Sequence, residues 1–162
     1  MVTIREATIE DLPGMLEIYN DAIIHLTATF DLEEQTLEQR KVWFEEHGGM
    51  HPLIVAEINQ EIAGYCCLSP YNQKSAYAKT LELSVYLSNK HKGKGLGTVL
   101  MKEIITKAKE LGHHTIISLI TSGNEASVKI HEKLGFSYVG TIKEVGYKFN
   151  QWHDVAYYQL ML

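Results

Sequence analysis

Three clusters of residues carry chemistry in this sequence. The first is Lys90-His91-Lys92-Gly93-Lys94-Gly95-Leu96-Gly97-Thr98. Alternating glycines let successive backbone N–H groups curl around an anion without Cβ clashes, and a helix starting there points its positive end at the same spot. Three lysines add local charge, and a pyrophosphate is the natural guest. The loop is no Walker A, because no lysine stands between a loop glycine and Ser or Thr. It is no dinucleotide fingerprint either, because Thr98 sits where the third glycine belongs. Taken alone, the loop reads as an anion cradle or, as the blander alternative, a simple helix-entry turn. The second cluster is Asn124-Glu125-Ala126-Ser127, running into His131 and Gly135-Phe136; Asn124 reads as a helix N-cap or as part of a ligand site. The third is Glu82, a carboxylate on a strand with an apolar opposite face. It is either a solvated or ion-paired glutamate or a proton acceptor.

The remaining signals bound what can position these groups. The chain has 162 residues, 45% hydrophobic and 22% charged, enough to bury a sizeable core without disulfide or metal. One domain spanning 1–162 is expected. A net charge of −5 argues against a nucleic-acid partner. No run approaches the ~20 apolar residues of a membrane span, and the first residues lack the apolar core of a leader, so a cytoplasmic protein is expected. Cys66 and Cys67 are neighbours on a strand; they face opposite sides and read as buried thiols.

Strands are expected at 2–7, 53–58, 62–68, 81–87, 115–120, 138–149 and 155–161. In the fourth, Leu81, Leu83, Val85 and Leu87 share one face and Glu82, Ser84 and Tyr86 the other. Thr8 and Asp11 resemble a capping pair before a helix carrying Leu12, Met15, Leu16, Tyr19 and Ile23 on one face. A second helix begins after Thr36, with Gln39 in the capping-box position, and stops at Gly48-Gly49. Helices over 96–111 and 125–134 follow. The pattern is an antiparallel meander, then β-α-β: a mixed α/β fold with a central, mostly antiparallel sheet flanked by helices. His47 and His51 are four apart, but Gly48-Gly49 and Pro52 interrupt any helix across them; His113-His114 reads as a surface pair. No metal is expected.

Taken together, the glycine loop and the Asn124 segment resemble the acetyl-CoA site of the GNAT N-acetyltransferase superfamily. Lys92-Gly93-Lys94-Gly95-Leu96-Gly97 matches its Q/R-x-x-G-x-G/A pattern with lysine in first position. Asn124, Ser127 and Gly135-Phe136 match its later pattern. Thr27-Ala28-Thr29-Phe30, Glu82-Leu83-Ser84-Val85-Tyr86, Gly146-Tyr147-Lys148-Phe149 and Trp152-His153-Asp154 are similar to the phosphinothricin and methionine sulfoximine acetyltransferase branch.

The resemblance implies a GNAT fold and acetyl transfer to the amine of a small amino-acid-like acceptor, with Glu82 as general base. His131 stands where most of the superfamily has tyrosine. Its implied role is proton acceptor, protonation of the departing thiolate, or orientation of the thioester. Backbone amides of Val85, Tyr86 and Leu87 would face the thioester carbonyl. Lys92, Gly93, Lys94, Gly95, Leu96, Gly97, Thr98, Asn124 and Ser127 would hold acetyl-CoA. Phe30, Leu83, Ser84 and the segment Lys74-Ser75-Ala76-Tyr77 would contact the acceptor, with Lys74 taking its carboxylate. The alternatives are an acetyltransferase for protein or peptide amines, or a non-catalytic acyl-CoA sensor. A homodimer is expected, with Trp152, Tyr157 and Tyr158 at an interface or in the core.

Overall fold

The computed structural model describes residues 1–162. Seven strands form one sheet in the order β1-β2-β3-β4-β5-β7-β6. They are β1 Val2–Glu6, β2 Leu53–Ile58, β3 Glu61–Pro70, β4 Thr80–Leu87, β5 Thr115–Thr121, β6 Ser137–Lys148 and β7 Gln151–Met161. All pairs are antiparallel except β4 and β5, which run parallel. Parallel neighbours need a crossover, here α3 (Leu96–Glu110). The other helices are α1 Leu12–His25, α2 Leu37–Glu45 and α4 Glu125–Lys133.

Alternation along the strands sends apolar side chains to both faces, and each face has its own core. Leu81, Leu83, Ile54, Cys66, Ile116 and Ile120 pack under Leu100, Met101 and Ile104 of α3, with Val128 and Ile130 of α4 against them. On the other face Val55, Tyr65 and Cys67 pack under Leu12, Met15 and Ile18 of α1, with Trp43 and Phe44 of α2. Cys66 and Cys67 are both free and buried, one in each core, as strand alternation requires.

Local signals set several boundaries. Thr8 and Asp11 form the capping box that leads into α1, and Thr36 with Gln39 forms the one that opens α2. The β2–β3 hairpin turns on two residues, Asn59 and Gln60, both left-handed; Glu61 already belongs to β3. Three expectations are corrected. α2 ends at Glu45, before the glycine pair, because His47 turns back onto its last turn. β7 starts at Gln151 rather than Val155, since Phe149 and Asn150 make another two-residue left-handed turn. His113 is buried, with Nε2 bonded to the Met50 carbonyl, so it is no surface residue.

The register of β4 against β5 splits the sheet in its middle. The two strands pair at Thr80, Leu81 and Glu82 only, whereas β3 accompanies β4 to Leu87. Beyond Glu82 the strands part, and β4 amides that point away from β3 lose any strand partner. No helix is long and apolar enough to cross a membrane.

Candidate active site

The V-shaped gap between β4 and β5 holds two adjoining cavities. One, of about 280 Å³, is lined by Glu82, Ser84 and Tyr86 of β4, Ser118 to Thr121 of β5, His131 of α4, and the Thr27–Phe30 segment after α1. The other is a groove of about 750 Å³ running past Val85 to Leu87 along Lys92, Gly93, Gly95, Leu96 and Gly97. They share the walls Thr27, Ala28, Val85, Tyr86, Asn124 and Ser127.

Most of the residues singled out from the sequence therefore meet at this gap. Lys94 and Thr98 lie outside the groove's lining. Leu83 lines the smaller cavity but sends its side chain into the α3-side core. Lys74, Ser75, Ala76 and Tyr77 are corrected in placement. They form an exposed turn between β3 and β4 and line neither cavity, because the nine residues between the strands carry them away from the sheet.

The groove is shaped to take an anion at its glycine end. Gly93 and Gly95 adopt φ of +76° and +79°, and a Cβ built on either meets no protein atom within 4 Å. The space beside them is open, and both glycines line the groove. Gly95 is also the N-cap of α3, a 15-residue helix whose first amides lack carbonyl partners of their own. Backbone shape and helix polarity together suit an anion there. Across the groove Asn124 caps α4 by accepting from the Ser127 amide at 3.2 Å.

Glu82 and His131 face each other across the parting strands from opposite sides of the sheet. The half-buried Glu82 carboxylate has no hydrogen bond or ion pair within the chain, and burial raises its pKa above that of an ordinary glutamate. His131 is almost fully buried against the edge of Phe136, ring centroids 4.8 Å apart. Its Nδ1 lies 2.7 Å from the Ser127 carbonyl oxygen. A carbonyl only accepts, so Nδ1 carries the proton and Nε2 is the free base. Burial lowers the pKa of this ring, the Ser127 bond opposing it, and Nε2 has no partner in the chain. In this tautomer His131 accepts a proton or a hydrogen bond and cannot donate from Nε2.

The Thr27–Phe30 wall is held from three strands. Tyr86 Oη donates to the Ala28 carbonyl at 3.3 Å and Thr121 Oγ1 to the Thr27 carbonyl at 2.8 Å. Lys148, buried at the end of β6, donates from Nζ to the carbonyls of Leu26 at 2.6 Å and Thr29 at 2.8 Å. Phe30 packs over Gly146 so closely that an added Cβ would sit 2.6 Å from its ring. Sequence reasoning marked Lys148 as part of a motif without finding this role. Replacing it with methionine strips two partly buried carbonyls of their donor, and Lys148→Met is expected to lower the unfolding free energy by about 1–2 kcal/mol. Urea melts of the two proteins measure this; an unchanged midpoint would mean the clamp contributes nothing.

Comparison with known proteins agrees with this geometry. Residues 4–157 match the family model of the acetyltransferase (GNAT) domain. The chain is 37% identical over 162 residues to an L-methionine sulfoximine/L-methionine sulfone acetyltransferase of Pseudomonas paraeruginosa, covering 99% of this chain and 94% of that one. It is also 37% identical to a phosphinothricin N-acetyltransferase of Streptomyces coelicolor, over 98% and 95% of the two chains. A GNAT superfamily phosphinothricin acetyltransferase from Sinorhizobium meliloti, solved in complex with acetyl-CoA, superposes with a TM-score of 0.96 at 30% identity over 99% of this chain and 88% of that one. This chain belongs to the GNAT acetyltransferase family, and the two curated relatives just given are named for acetylating methionine sulfoximine, methionine sulfone and phosphinothricin.

Proposed function

We propose that this protein transfers an acetyl group from acetyl-CoA directly to the amino group of a small amino-acid-like acceptor of the methionine sulfoximine, methionine sulfone or phosphinothricin type, with Glu82 as general base. The observation that carries the reading is the meeting of the two cavities at the β4–β5 gap: a phosphate cradle at one end, an unpaired carboxylate at the other. Acetyl-CoA, when bound, supplies an acyl group activated as a thioester. The protein's own part is to hold its pyrophosphate on the amides around Gly93, Gly95 and Gly97, with Lys92 adding charge, and to lay its arm along Val85–Leu87. The partnerless β4 amides there would face the acyl carbonyl.

An attacking amine must be neutral, and Glu82 is the carboxylate placed to deprotonate it. His131 Nε2, on the other side of the sheet, is a second acceptor. Phe30 and Ser84 flank the acceptor, and a cavity of about 280 Å³ suits an amino acid better than a stretch of polypeptide. No claim on the acceptor falls to the Lys74–Tyr77 turn in the isolated chain. The exposed apolar residues of the edge strand β6, among them Tyr138, Val139, Ile142 and Val145, support a homodimer through that edge. Tyr158 belongs to the core and Trp152 to the surface beside Tyr147. The reading also places the enzyme in the cytoplasm.

Thiol release from acetyl-CoA across a panel of amines tests the proposal. Fast turnover on methionine sulfoximine, methionine sulfone or phosphinothricin, with little on N-terminal peptides or polyamines, is the expected result. Turnover confined to peptides would overturn the acceptor, and silence on every amine would leave an acyl-CoA-binding protein.

A further inference from the structure

The acceptor of such a reaction enters as an ammonium at neutral pH. Of its protons, one is balanced by the thiol that leaves and one is released in every turnover. Glu82 is where that proton first arrives, yet Glu82 lines the cavity that the acceptor itself would fill. A second way out lies across the neighbouring strand.

In the register of β3 against β4, Ser69 stands directly opposite Glu82. Facing residues on adjacent antiparallel strands have Cβ atoms about 5 Å apart, within reach of a carboxyl rotamer or one water. Ser69 Oγ lies 3.0 Å from Nε2 of His47. The other ring nitrogen, Nδ1, lies 2.8 Å from the Trp43 carbonyl in the last turn of α2, so it carries the proton. Nε2 is then the base, and the Ser69 hydroxyl must donate to it. The ring also packs against Trp43, centroids 4.6 Å apart at a 45° tilt, which restrains this orientation. His47 also lines a different cavity, bounded by Glu6, Gly48, Gly49, Lys107 and Glu110. The ring is half-buried, and Ser69 beside its Nε2 lines a further cavity together with Arg40, Trp43 and Glu46.

We propose that Ser69 and His47 form a proton relay that discharges Glu82 between turnovers. The protonated Glu82 carboxyl passes its proton to Ser69 Oγ while the serine's own hydroxyl proton moves to His47 Nε2. The products are a carboxylate, an unchanged serine and an imidazolium, whose Nε2 proton leaves to water or buffer entering through the cavity beside Ser69 while Nδ1 keeps its own on the Trp43 carbonyl, restoring the starting tautomer. The neighbouring groups leave His47 as the acceptor. Burial pushes the Cys67 thiol up to about 11 and the Tyr86 phenol higher still, so neither takes part near neutrality. Arg40 is a permanent cation. Burial lowers the His47 pKa, with Arg40 and His51 acting in the same sense and Glu46 and the Trp43 bond against it. Glu82 is shifted upward, so donor and acceptor approach each other in proton affinity.

The relay rests on Glu82 being the base, and the test separates the two. Steady-state kcat is measured at saturating acetyl-CoA and methionine sulfoximine in dilute non-nucleophilic buffer, then with added imidazole at constant ionic strength. Ser69→Ala and His47→Gln are expected to lose about tenfold in kcat with little change in KM, and imidazole is expected to restore most of it. Ser69→Thr, which keeps the hydroxyl, restores kcat without imidazole. Undiminished kcat in Ser69→Ala, or a loss that imidazole does not repair, overturns the relay; the second result would mean His47 and Ser69 only brace α2 against β3. If Glu82→Gln is inactive while Ser69→Ala behaves as wild type, the relay alone fails. If Glu82→Gln is fully active, the base assignment fails with it.

Discussion

Glu82→Gln is expected to lower kcat by about a hundredfold or more, the usual worth of a positioned general base, while acetyl-CoA affinity stays within about twofold. The amide is isosteric with the carboxylate and cannot accept the acceptor's proton. The proposed phosphate cradle lies at the other end of the gap, around Gly93 and Gly95. The pH profile carries a second signature. Glu82 must be ionised to act, so kcat/KM rises with pH through its pKa. Burial raises that pKa, which moves the limb to the alkaline side of an ordinary glutamate's. In the glutamine variant that limb disappears. Stability changes in the opposite sense. A carboxyl whose pKa is raised in the folded state opposes folding once pH exceeds its unfolded value, so Glu82→Gln is expected to hold or raise the melting temperature near neutrality. Full activity in the variant across the pH range would remove Glu82 from the mechanism.

How much was legible in the sequence depends on the range of the interactions involved. Alternation in β4 put Glu82, Ser84 and Tyr86 on one face, because side chains on a strand alternate whatever surrounds them. The capping boxes at Thr8–Asp11 and Thr36–Gln39 are likewise complete within four residues. The gap between β4 and β5 is different. Val85 and Leu87 continue the same apolar period as Leu81 and Leu83, and nothing in that period says that β5 stops pairing after Glu82. The family resemblance, not periodicity, pointed to it. Lys148 shows the same limit from another side. The carbonyls it clamps belong to residues 122 and 119 positions away, and a lysine between two aromatics reads as surface until that contact exists. Lys74 is the converse: a positive charge in the expected segment, placed on an exposed turn that only the fold could locate. Ser69 gave no signal at all, since its neighbours Glu82 and His47 come from β4 and from the end of α2.

Gly95→Val is expected to abolish acetyl-CoA binding, with affinity falling by about a hundredfold or more, worth ~2.8 kcal/mol at ordinary temperature. Two effects combine. At φ of +79° a β-branched side chain is strained, costing about 1–3 kcal/mol. The same side chain would also take up open space at the edge of the groove, where no protein atom lies within 4 Å of a built Cβ and where the proposed pyrophosphate would rest. Gly112 separates them. It has φ of +80° at the far end of α3, outside the groove, with only Lys79 Nζ at 3.9 Å from a built Cβ. Gly112→Val thus carries the strain without the obstruction. Both variants are expected to melt earlier than wild type by similar amounts, and only Gly95→Val is expected to lose the heat of acetyl-CoA binding in a calorimetric titration. Equal loss in both would trace the effect to a weakened α3 rather than to the cradle. Wild-type affinity in Gly95→Val would mean that the pyrophosphate rests elsewhere, and the glycine loop would then be no more than the turn that starts the helix.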